Sequence, residues 1–152
     1  MRCAARSLAV SLLLLASEPA IAQDTPAPRP PLEQVVRDYV GLYRAETLAD
    51  WKKLFHPDLT VASPGPGGAI VVRNLDQFYG AQASYLPGRK SVSERLENVR
   101  IEQGRRIARV VADFVLVDEG VESRGELGLH LVEGGEGWKI VGIVFAYDVE
   151  GD

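Results

Sequence analysis

The stretch RRIARVVADFVLVDEGVESRGELGLHLVEGGEGWKIVGIVFAYD, residues 105–148, decides the fold. In its first segment, Arg105 to Val117, the even-numbered positions Ala108, Val110, Ala112, Phe114 and Leu116 are all apolar. In its second, Val121 to Val132, Leu127, Leu129 and Leu131 share one face, while Glu122, Arg124, Glu126 and His130 share the other. Trp138 to Tyr147 is apolar on both faces, which predicts a strand covered on both. Period-2 alternation in β-branched residues marks strands of an antiparallel sheet. The links Asp118-Glu119-Gly120 and Glu133-Gly134-Gly135-Glu136-Gly137 are short and carry glycine, as hairpins require. The C-terminal half is therefore a three-strand meander, and the rest of the chain is expected to cover one of its faces.

Working back toward the N-terminus, a long strand is expected from Ser91 to Glu102, turning at Gln103-Gly104 into the meander. Asn74 with Gln77 three positions on is a capping pair, opening a helix with Leu75, Phe78, Tyr79 and Gln82 on one side and Leu86-Pro87-Gly88 at its end. Two short strands, Leu59–Ser63 and Ala69–Val72, flank the loop Pro64-Gly65-Pro66-Gly67-Gly68. A helix led by Thr47 and Asp50 turns Leu48, Trp51, Leu54 and Phe55 inward and ends at His56-Pro57. Before it, Leu32, Val35, Val36, Tyr39, Val40 and Tyr43 form the apolar stripe of a first helix. Helix, helix, two short strands, helix and four long strands make an α+β architecture.

The N-terminus reads as a leader. Arg2 and Arg6 precede the apolar run Leu8–Ala16, and Ala20-Ile21-Ala22 fits a cleavage site before Gln23. The expected organisation is a signal peptide over 1–22, a Pro-rich linker over 23–31 and one domain over 32–149. Export to the periplasm or medium follows, with no membrane contact after cleavage. The single cysteine, Cys3, leaves with the leader, so the domain must hold by packing without a disulfide. The chain is acidic, with a formal net charge of −4 and no basic run, which argues against nucleic acid as a partner.

The element order, the helix pair VVRDYVGLYRAETLADWKKLFHPDLTV and the closing GWKIV strand resemble the superfamily of nuclear transport factor 2, ketosteroid isomerase and SnoaL-like cyclases over Leu32 to Tyr147. The resemblance implies a cystatin-like cone: a curved antiparallel sheet wrapped around three helices. It also implies a homodimer through the outer sheet face. In ketosteroid isomerase the oxyanion-hole tyrosine falls where Tyr39 stands. The family's general base, an aspartate before a proline, falls on Ser63. Its protonated aspartic acid falls on the Leu127–Leu129 segment, which has no carboxylate on that face. A serine without a proton-accepting partner is no base at neutral pH, so ketosteroid isomerase activity itself is not expected.

Other chemistries find little support. His56 and His130 have no ligand-spaced neighbours, so neither a metal nor a cofactor is expected. No Gly-x-Ser-x-Gly elbow is present, and the 65–68 loop opens a strand where a phosphate loop opens a helix. Asp113 shares its strand face with Ile107, Arg109, Val111, Val115 and Val117. If the all-apolar face lines the cone, Asp113 lies outside and pairs with an arginine. The converse places an acid in the cavity.

The candidate lining is Tyr39, Tyr43, Ser63, Tyr79, Phe114, Leu129, Phe145 and Tyr147, which suits a small hydrophobic or aromatic molecule. Three functional readings result. The first is an exported protein without catalysis that binds such a molecule, or a partner, in or around the cone cavity. The second is an isomerase, cyclase or dehydratase acting on a small carbonyl compound, in which Tyr39 polarises the carbonyl and Asp113 or an unrecognised group moves the proton, with Ser63 a further catalytic candidate. The third is an interaction module using the outer sheet face.

Overall fold

The computed structural model describes residues 30–148. The expected signal peptide, nearly all of the Pro-rich linker and the last residue of the expected domain lie outside these. Helix α1 spans Leu32–Gly41, α2 Leu48–Lys52 and α3 Leu75–Tyr85. The strands are β1 Phe55–Pro64, β2 Ile70–Asn74, β3 Val92–Gln103, β4 Ile107–Asp118, β5 Val121–Gly134 and β6 Gly137–Tyr147. They form one sheet in the order β2-β1-β6-β5-β4-β3. The helices pack on its inner face, α1 against β3 and β6 and α3 against β1 and β2. This is the α+β cone, with one correction to its sheet. β1 runs parallel to β6, so the sheet is mixed, whereas the sequence reading made it wholly antiparallel. β1 and β6 are far apart in sequence, so the chain has length enough between them for the parallel return that a hairpin forbids.

The inner face is the one the alternation identified. Ala108, Val110, Ala112 and Phe114 of β4 and Leu127, Leu129 and Leu131 of β5 are all buried. The hairpins close on Glu119-Gly120 and Gly135-Glu136 between the paired ends Asp118↔Val121 and Gly134↔Gly137. Glu119 and Gly120 both have positive φ, 51° and 90°, the backbone that two-residue hairpins need.

The second helix is shorter than expected. It stops at Lys52, and Phe55 already belongs to β1, paired with Ile140. His56 is consequently an exposed strand residue, with no helix end to interact with. Thr47 does not cap α2; its hydroxyl donates to the Leu42 carbonyl at 2.9 Å. The Asn74–Gln77 box at α3 is complete in both directions, at 2.9 and 3.1 Å.

Two bulges reset the alternation. Between β5 and β6 the register slips at His130 and Leu131 of β5, leaving Val141 of β6 as the extra residue. Trp138 and Ile140 point inward before it, and Ile143 and Phe145 after it. The double-sided apolarity of this strand is thus largely one inner face that changes parity. Val144, on the outer face, is 55 % exposed, so the strand is not covered on both sides within one chain. In β3 the slip lies between Glu97 and Arg100, with Asn98 in the left-handed region at φ 51°. Among the described residues, no helix is long and apolar enough to cross a membrane.

Candidate functional site

The site grows from an aromatic floor. Trp51 of α2 is almost wholly buried, and its indole N–H donates to the Tyr39 carbonyl at 2.7 Å. Around it, Tyr43, Phe55 and Phe78 place their ring centroids at 5.3, 4.6 and 5.6 Å, and Tyr39 at 5.9 Å. These tilted and edge-on contacts fix the ring orientations. The opposite wall is a second aromatic group, with the Tyr147 ring 5.1 Å from Phe114 and 6.0 Å from Phe145. A close approach permits it: a Cβ on Gly125 would lie 2.6 Å from the Phe114 ring and 2.1 Å from the Ala146 carbonyl oxygen.

Between floor and wall lies a cavity of about 70 Å³, enough for a few water molecules or the end of a small organic molecule. Its polar lining consists of Tyr39, Tyr43, Gln82, Glu94 and Tyr147. No lysine, arginine or histidine lines it. The decisive member is Glu94. It stands on β3 between the inward Val92 and Leu96, opposite Leu116 of β4. Withdrawal from water pushes its carboxyl up to about 7.

The phenols respond to burial and to that charge. Tyr39 is held well above the usual tyrosine range, first by burial and then by Glu94, Tyr43 and Tyr147. Burial and then Glu94 also raise Tyr43 and Tyr147. All three are therefore neutral hydrogen-bonding groups at physiological pH. The Tyr43 hydroxyl donates to Gln82 Oε1 at 2.5 Å. Among the described residues, neither the Tyr39 hydroxyl nor the Glu94 carboxylate has a hydrogen-bonding partner. A free acid with a pKa near neutrality beside a free phenol can accept a proton from carbon while the phenol donates to an oxygen.

The cavity opens past Tyr43, Gln82, Leu116 and Tyr147 into an outer cleft with Tyr85, Arg89, Asp118 and Ser123 on its walls. There the Tyr85 hydroxyl donates to Asp118 Oδ2 at 2.6 Å, and the Arg89 guanidinium lies 4.7 Å from the Tyr85 ring centre. Burial, followed by that carboxylate, pushes the Tyr85 phenol up to about 12.

Of the residues expected from sequence, Tyr39, Tyr43, Phe114, Phe145 and Tyr147 meet at the cavity. Ser63 does not. It is buried on β1, and its hydroxyl accepts from Arg73 Nη1 at 3.3 Å. Tyr79 also lies elsewhere, with the Lys52 ammonium 4.6 Å from its ring centre. Leu129 is packed solidly in the core, with no accessible surface. Asp113 is on the outer face, where it accepts from Asn98 Nδ2 at 2.6 Å in place of the expected arginine. Glu94 and Gln82 were missed as site residues. The alternation Val92-x-Glu94-x-Leu96 carried the signal, an acid between two apolar positions. Among the described residues, no group of three or more His, Cys, Asp or Glu is placed to hold a metal ion.

The model of the SnoaL-like domain matches residues 32–147, spanning every helix and strand described above. The chain belongs to the SnoaL-like family. Solved structures share the fold of this SnoaL-like domain at low identity. A nuclear transport factor 2-like protein from Streptomyces avermitilis, provisionally named a dehydratase, superposes with a TM-score of 0.64 at 13 % identity, over 77 % of this chain and 93 % of that one. A Novosphingobium aromaticivorans protein provisionally named a scytalone dehydratase gives 0.62 at 16 %, over 77 % and 81 %. Bd1075 of Bdellovibrio bacteriovorus gives 0.65 at 12 % over 78 % of this chain, which spans 40 % of the length of that protein. A search of curated proteins by sequence finds no match.

Proposed function

We propose that this SnoaL-like domain is a proton-transfer enzyme of the isomerase or dehydratase kind, acting on a small uncharged carbonyl compound. Glu94 is the base and Tyr39 the donor to the carbonyl oxygen. The observation that carries this reading is the single carboxylate set among aromatic rings beside an unpartnered phenol. Glu94 takes a proton from the carbon next to the carbonyl, and the electron pair moves onto the carbonyl oxygen. Negative charge thereby leaves Glu94 and develops where Tyr39 donates. A lining without cations leaves a charged carboxylate substrate uncompensated, which favours neutral molecules. The sequence reading put binding without catalysis first because the base and the second acid of ketosteroid isomerase are absent; Glu94 supplies a carboxylate at the cavity from another strand.

The test is deuterium exchange at the α-carbon of cyclohexanone in D2O, followed by proton NMR. Catalysed exchange that disappears in Glu94→Gln supports the reading. Exchange no faster than buffer, or equal in the variant, overturns it. A second reading, a binding protein for a small hydrophobic or aromatic molecule, is favoured by the dominance of rings in the lining. It predicts ligand binding without exchange.

The leader pattern supports export, tested by fractionating cells that express the full chain. The outer sheet face supports a homodimer. Ile107, Val132 and Val144 are 67, 40 and 55 % exposed there. Farther along the same face a closed ring of ion pairs, Arg95–Glu97–Arg124–Glu122, carries both signs equally, so a second copy meets no net charge there. Light scattering on wild type and Val144→Glu tests this, with a dimer that the variant splits as the supporting outcome and a wild-type monomer as the overturning one.

A further inference from the structure

The neck between the inner cavity and the outer cleft is formed by a hydrogen-bonded pair that the proton-transfer reading does not use. Tyr43 and Gln82 line both spaces, and the Tyr43 hydroxyl donates to Gln82 Oε1 at 2.5 Å. Among the described residues, Gln82 Nε2 makes no hydrogen bond, and the Tyr43 oxygen has lone pairs to spare. The pair therefore offers one free donor, the amide N–H, and one free acceptor, the phenol oxygen. Exchanging the amide ends alters which residue plays which part but not the sum. Gln82 Nε2 would then donate to Tyr43, leaving the phenol O–H as donor and Oε1 as acceptor. In either arrangement a neighbouring donor and acceptor face the neck.

A ketone oxygen satisfies only the donor, and a hydrocarbon satisfies neither. A hydroxyl group satisfies both from a single atom, and it adds no charge beside Glu94. We propose that Tyr43 and Gln82 are a hydroxyl-binding subsite, so that the molecule taken by this cavity is a hydroxy-carbonyl compound. Its carbonyl faces Tyr39 and Glu94, and its hydroxyl lies at the neck. This rests on the proton-transfer reading for the orientation of the carbonyl, but not for the presence of the subsite. Tyr43 is buried, so an acceptor left unmatched there weakens binding, and the hydroxyl becomes a specificity determinant.

The probes are cyclohexanone and its 2-, 3- and 4-hydroxy derivatives, titrated into the protein by NMR. At least one hydroxy ketone is expected to bind about tenfold or more tightly than cyclohexanone. That ratio should collapse toward one in Gln82→Met, which keeps the length of the side chain without its polar atoms, and in Gln82→Leu as a second variant. The proposal is overturned if wild type shows no preference, or if the preference survives both substitutions. α-Proton exchange measured in the same samples separates the two claims. Exchange without hydroxyl preference sinks the subsite alone, and preference without exchange sinks the proton-transfer reading alone. If neither is seen, both fall.

Discussion

Glu94 on β3 and Leu116 on β4 are register partners, and that single pairing turns a carboxylate toward the aromatic cavity. The same ladder pairs Glu97 with Asp113 on the outer face. A one-residue change of register in β3 would exchange its two faces, turning Glu94 out of the cavity and bringing Ser93, Arg95 and Glu97 inward.

Glu94 acts as a base only when ionised, and its carboxyl is pushed up to about 7. Activity is therefore expected to rise through neutral pH and to level off about a unit above it. Glu94→Gln should lower the rate by roughly 10²-fold or more. A pH–rate profile of α-proton exchange checks both. A midpoint near 4.5, the ordinary glutamate value, would show that burial does not raise the titrating carboxyl.

The same shift makes Glu94 a cost to stability. The folded protein holds this proton up to about pH 7, whereas the unfolded chain releases it near 4.5. The folded state therefore binds more protons between these values, and stability falls as pH rises across that window. Above pH 7 the full penalty is roughly 3 kcal/mol, and below pH 4.5 it is absent. Glu94→Gln should accordingly unfold at a higher temperature than wild type at pH 8, with a smaller difference at pH 4. Thermal melts at the two pH values read this, and a variant less stable at pH 8 would contradict it.

Tyr39→Phe keeps the ring that packs against Trp51 and Phe55 while removing the free hydroxyl. The rate should drop on the order of 10²-fold, the usual loss for one oxyanion donor, with the melting temperature little changed. An unchanged rate would move the donor role to Tyr147 or Gln82.

Gly125→Ala should destabilise strongly, because the new Cβ meets the Ala146 carbonyl oxygen at 2.1 Å as well as the Phe114 ring. Backbone cannot yield as a side chain does, so a loss of roughly 1–3 kcal/mol or more is expected. Gly128→Ala on the same strand is the control, since its Cβ would meet only the Val144 carbonyl oxygen at 3.8 Å. Urea midpoints of the two variants compare them, and equal midpoints would refute the steric account.

By itself the sequence determined the elements whose signal is local. The β4 and β5 faces follow from unbroken alternation between Ala108 and Leu131, the two hairpins from their glycines, α1 from its stripe, and the start of α3 from Asn74 and Gln77. Only tertiary structure decided which carboxylate enters the cavity. Asp113 drew attention because it interrupts a long strand of known alternation, yet it faces outward. Glu94 sits on an edge strand where charged residues are ordinary, and its direction is set by pairing with Leu116. The bulges at Val141 and near Asn98 obey the same logic. A bulge is a mismatch between two strands, so neither strand alone records it, and a period-2 reading carried across it assigns the wrong face.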